Sequence, residues 1–165
     1  MLDSLGGNVQ RIVERILPND TKPALLKGPE TVVVDPDGQV YILSEEAKLV
    51  KLSKLEAAPN DPNTFTAETT LVVDLGVGRP LGGAFVPDSN NETTSFTLYV
   101  ADAILGLLRV TNIPRAGQAN SSGQPRVELV ASRVQMVDGS WSQFAFADDV
   151  AIGPKTGHVY FTDGK

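Results

Sequence analysis

One phrase recurs three times along the chain and sharply limits what it can fold into. The triplets Val40-Tyr41-Ile42, Leu98-Tyr99-Val100 and Val159-Tyr160-Phe161 mark the same point in each copy, with the tyrosines 58 and then 61 residues apart. Around each triplet the order is the same: a run of β-branched and aromatic residues, a turn rich in Pro, Gly, Asp or Asn, a second such run, then a longer polar stretch. Self-similarity at a fixed period is the mark of an array of supersecondary units. A unit that reads strand, tight turn, strand and then further strands is a β-propeller blade.

The repeat predicts an all-β fold. Residues 1–27 form a lead-in, 28–77 a first blade, 78–144 a second, and 145–165 the start of a third. In the lead-in, Leu2, Leu5, Val9, Ile12, Val13 and Ile16 recur at spacings of three and four, which predicts an amphipathic helix over 2–17, stopped by Pro18-Asn19. In the first blade, strands are expected at Thr31–Asp35, Gln39–Leu43, Leu49–Leu52 and Thr70–Leu75, with a loop over Ala57–Asn63. Asp35-Pro36-Asp37-Gly38 is the inner turn: Pro presets φ and Gly accepts a positive one. In the second blade, the inner turn is swollen by the polar insertion 88–95, and strands are expected at Gly106–Thr111 and Arg126–Ser132. Propellers close as rings of four to eight blades, so about two and a half blades are expected to be a piece of a longer protein or a truncated gene product.

Charge and composition trim the function classes. The net charge is −6 with no basic stripe, which excludes a nucleic-acid partner. There is no cysteine, so thiol catalysis and thiolate metal sites are out. No serine lies in a Gly-x-Ser-x-Gly elbow, and Gly76-Val77-Gly78 lacks the Lys-Ser/Thr of a phosphate loop. Sequons at Asn19, Asn91 and Asn120 are candidate glycosylation sites and lean the location toward the secretory pathway or a membrane surface.

The repeat also points to a site. Aligned on Pro36, Pro87 and Pro154, the copies place Glu30, Leu81 and Asp148 at one equivalent position, six residues before each proline. In a propeller the innermost strands line the central channel, so Glu30 and Asp148 are expected to share it, with Leu81 between them. Two carboxylates at one axis repel unless a cation or proton lies between them. Oxygen ligands without nearby His or Cys suit Ca2+ or Mg2+ better than zinc. The alternative is that such acids cap turns and bind neighbouring amides. Asp149 alternates to the other strand face and reads as a structural acceptor, while Leu81 and Asp149 are also candidate pocket residues. Trp141 is a candidate pocket floor or a packing residue between blades, and His158 an exposed hairpin histidine. Ser44, Asp102 and Asp163 stand at matching corners after the second strands.

Gly28-Pro29-Glu30, Gly78-Arg79-Pro80-Leu81-Gly82, Tyr99-Val100-Ala101-Asp102 with Gly106-Leu107-Leu108-Arg109-Val110, and Phe146-Ala147-Asp148-Asp149-Val150 with Val159-Tyr160-Phe161-Thr162-Asp163 occur in order. Together they resemble the strictosidine-synthase-like family, which also holds the adipocyte plasma-membrane-associated proteins. The likeness spans about residues 25–165. It implies a six-bladed propeller of the calcium-dependent phosphotriesterase superfamily, completed by further blades. It also implies calcium held at Glu30 and Asp148, where metal-binding relatives carry Glu and Asn. The implied activities are metal-dependent hydrolysis of a small-molecule ester or lactone or, alternatively, condensation of an amine with an aldehyde. A third alternative is a non-catalytic, membrane-associated or binding propeller.

Overall fold

A computed structural model describes residues 16–18, 27–58, 61–87, 94–118 and 123–164. These residues form β-strands and turns, with no helix among them. The first sheet holds β1 (Ile16–Pro18), β2 (Pro29–Val34), β3 (Val40–Ser44), β4 (Lys48–Ala58) and β5 (Asp61–Asp74), in the order β1-β5-β4-β3-β2. The second holds β6 (Pro80–Pro87), β7 (Ser95–Asp102), β8 (Gly106–Pro114) and β9 (Arg126–Ala131), in that order. Two ribbons follow: β10 (Arg133–Gln135) with β11 (Trp141–Gln143), and β12 (Ala147–Ile152) with β13 (Val159–Asp163). Every pairing is antiparallel except β1 with β5, and no sheet closes on itself.

Local chemistry explains the inner hairpins. The Asp35 carboxylate accepts the amides of Asp37 and Gln39, each at 2.9 Å, and Gly38 takes φ +84°. That side-chain-to-backbone turn closes β2 onto β3 as the sequence predicts. The corner residues act alike. Ser44 accepts the Lys48 amide at 3.3 Å, Asp102 the amides of Ile104 and Leu105 at 2.9 Å, and Asp163 those of Ala145 and Phe146 at 2.8 and 2.7 Å.

Side chains from facing sheets make the core. Val33, Tyr41, Leu43 and Leu49 of the first sheet pack with Phe96, Leu98, Val110 and Ile113 of the second. On the far side of the second sheet, Ala101 and Leu107 pack with Ala147 and Val150 of β12. The sheets thus stack side by side, each covering its neighbour's apolar face. Edge strands meet: β6 packs against both β2 and β12.

Two expectations are corrected, and one element is new. Ile16–Pro18 is a strand, pairing in parallel with Phe65, Thr66 and Ala67, so the expected helix does not reach its end at 17. The open edge of β5 offers hydrogen bonds that an isolated helical turn cannot match; residues 2–15 lie outside the described residues. The Ala57–Asn63 loop is shorter than expected, because β4 runs to Ala58 and β5 begins at Asp61. Three register shifts absorb the irregular composition along that long ladder. The ribbon β10–β11 was not foreseen. Its turn uses Gly139 at φ +85° and the Asp138 carboxylate, which accepts the Ser140 amide at 2.9 Å.

Candidate functional site

The same irregularity opens each of the three inner hairpins. In β2–β3, pairing passes from Pro29↔Ser44 to Thr31↔Leu43, leaving Glu30 as the extra residue. In β6–β7 it passes from Pro80↔Asp102 to Gly82↔Ala101, leaving Leu81. In β12–β13 it passes from Ala147↔Asp163 to Val150↔Phe161, so that Asp148 and Asp149 bulge there. A β-bulge re-aims a side chain and ends regular pairing, and such kinks recur beside binding sites. The three positions aligned from sequence are therefore one structural position, repeated.

The structure also brings these bulges together. The Thr31 hydroxyl donates to the Leu81 carbonyl, tying β2 to β6. On the other side, a Cβ added at Gly82 would lie 2.6 Å from the Asp149 Cα and 2.8 Å from the Asp148 carbonyl oxygen. The Leu81-Gly82 backbone is thus held between the Glu30-Thr31 segment and the Asp148-Asp149 segment. Gly83 follows the same logic, since a Cβ there would meet Val33, Leu43 and Leu98 at 3.1–3.4 Å. Only glycine lets three strands approach this closely.

Glu30 is not free. Its carboxylate accepts the Arg79 guanidinium at 3.1 Å from Nη2 and 3.3 Å from Nε, with the Glu30 side chain 22% exposed and that of Arg79 55%. Asp148 is exposed, and its carboxylate has no hydrogen bond or ion pair with a described side chain. Asp149 is bound within its own hairpin. Its carboxylate accepts the Val150 amide at 2.8 Å, and its amide donates to the Thr162 hydroxyl at 3.0 Å. Asp102, two strands away, is fully buried, and its Oδ2 has no hydrogen-bond partner among the described residues.

Calcium takes six to eight oxygen ligands. Two bulge carboxylates, one of them held by Arg79, fall short of that. No group of three or more His, Cys, Asp or Glu side chains among the described residues could hold a metal. The described residues alone do not fit a calcium ion, and coordination by Glu30 would require its release from Arg79.

The remaining candidates lie apart in the fold. Trp141 is exposed on β11, with the Arg133 guanidinium 4.9 Å from its ring centre. His158 is exposed in the β12–β13 turn, its amide donating to the Thr156 hydroxyl at 3.3 Å. Asn19, Asn91 and Asn120 lie outside the described residues. Sequence reasoning missed Arg79 as a site residue. Its signal was a cation two positions before Leu81, the one uncharged bulge residue of the three.

No protein-family model matches the chain, and no curated protein and no solved structure matches it either.

Proposed function

We propose that the two large sheets and the β12–β13 hairpin belong to consecutive blades of a strictosidine-synthase-like, six-bladed propeller that hydrolyses a small-molecule ester or lactone where its inner strands meet. The observation that carries this reading is the repeated bulge, which gathers Glu30, Leu81 and Asp148 around the Leu81-Gly82 backbone. Convergent charged groups at a junction of repeated inner strands are the usual place for a small-molecule site in such folds. In this reading Asp148 accepts a proton from the attacking water. The Arg79 guanidinium, held by Glu30, supplies positive charge for the oxyanion that forms on the carbonyl. Water adds across the acyl–oxygen bond and leaves an acid and an alcohol.

The test is turnover of an aryl ester and a lactone by a ring-closed form carrying this chain, with Asp148→Asn and Arg79→Gln measured in parallel. Loss of kcat in both variants with folding intact supports the reading. Turnover that survives both substitutions overturns it.

A further inference from the structure

A cavity apart from the bulge junction lies between the outer parts of the first two sheets. Its volume is about 400 Å³, and it is lined on one side by β3, β4 and β5 and on the other by the end of β8 and the segment after it. That volume is in the range of small-ligand pockets. Cross-strand register sets its first wall. Tyr41 pairs with Lys51 on β4, and Lys51 pairs with Thr70 on β5, so the three side chains stand in one row on the same face. Along that row, Tyr41 is buried, Lys51 half-buried and Thr70 exposed, which defines a floor, a wall and a mouth. Val72, two residues along β5, continues the face, and Ile113 and Pro114 of β8 close the cavity with apolar surface.

The charges in this cavity are unevenly satisfied. Tyr41 donates to the Asp35 carboxylate at 3.2 Å. Arg115 grips Asp37 through two bonds, at 2.5 and 2.9 Å, and lies 4.8 Å from the Phe96 ring centre. Lys51 differs: among the described residues its ammonium has no ion-pair or hydrogen-bond partner. An unpaired cation halfway down a pocket with apolar walls matches a ligand with one anionic end and an apolar body. We infer that this cavity binds a medium-chain aliphatic carboxylate, its head on Lys51 and its chain against Val72, Ile113 and Pro114. The inference is independent of the hydrolytic reading, because it uses other residues at another place in the fold.

The experiment is equilibrium dialysis of the chain against labelled octanoate, with octanol as the neutral probe of the same length. A charge-assisted hydrogen bond predicts octanoate binding about tenfold tighter than octanol. Lys51→Gln removes the cation, and Thr70→Glu pairs with it across the strands while leaving the fold's core untouched. Both variants are expected to bring octanoate down to the octanol level. Octanoate bound no tighter than octanol overturns the inference, as does octanoate binding unchanged in the two variants.

Discussion

Glu30 and Arg79, 49 positions apart in the chain, meet in an ion pair at 3.1 Å across the seam between the first two sheets. The pair places a side-chain cation on the one bulge carboxylate that is largely covered.

Breaking this pair is expected to change stability little. Arg79 is more than half exposed, so solvent screens the pair, and Arg79→Ala is expected to cost less than about 1 kcal/mol in urea unfolding. The same change frees Glu30, but two bulge carboxylates fall short of the six to eight oxygens of a calcium site, so calcium is expected to leave the unfolding midpoints of both proteins unmoved. A calcium-dependent rise in the midpoint of either protein would show that these carboxylates hold the ion after all.

Gly82 is expected to be intolerant for a steric reason alone. An added methyl would press on the Asp149 Cα and the Asp148 carbonyl, both backbone atoms that cannot swing away. Gly82→Ala is therefore expected to destabilise by about 1–3 kcal/mol, as overpacking does. Gly38 gives the contrast. Its added methyl meets nothing within 4 Å, and only its positive φ opposes substitution. Gly38→Ala is expected to cost about 1 kcal/mol, the left-handed penalty for one residue. Denaturant midpoints of the two variants decide the matter, and a milder effect at Gly82 than at Gly38 would refute the three-strand contact.

Tyr41 links stability to alkaline pH. Burial, reinforced by the neighbouring Asp35 carboxylate, pushes its hydroxyl well above the usual tyrosine range. The folded pKa is raised, so the stabilisation is complete below the unfolded value of about 10 and is lost as pH rises toward the folded one. Tyr41→Phe is expected to lose about 1 kcal/mol at neutral pH, from the Asp35 hydrogen bond, and to flatten the alkaline limb of the stability profile. An alkaline limb identical in wild type and variant would assign it to another group. At the acid end, the Arg115 hydrogen bond holds Asp37 below the usual carboxylate range. Its contribution is present above about pH 4 and fades as pH falls through the depressed value.

The outer side of β13 carries no partner strand among the described residues, and Tyr160 on that strand is exposed. Open strand edges template pairing with other chains. The 165-residue chain is expected to elute from gel filtration above its monomer mass and to show no ester or lactone turnover. Tyr160→Lys is expected to shift it toward the monomer. A wild-type chain that is monomeric, unfolds cooperatively and turns over substrate would mean that these sheets need no neighbours.

Much of this arrangement was legible because its causes are local. The turn at Asp35–Gly38, the corner acceptors Ser44, Asp102 and Asp163, and the equivalence of Glu30, Leu81 and Asp148 all follow from residues within one hairpin. A repeated local sequence makes a repeated local backbone, bulge included. What lay outside the sequence's reach depends on how hairpins stack. Arg79 finds Glu30 only because β6 packs on β2, and Asp149 reaches Gly82 only because β12 packs on its other side. Lys51 becomes the wall of a cavity only when β8 closes over it. The strand at Ile16–Pro18 exists because β5 leaves an edge beside it. These contacts join residues tens of positions apart, and no local preference encodes them. They are decided by which apolar faces must cover one another to leave water, and that is a property of the packed sheets.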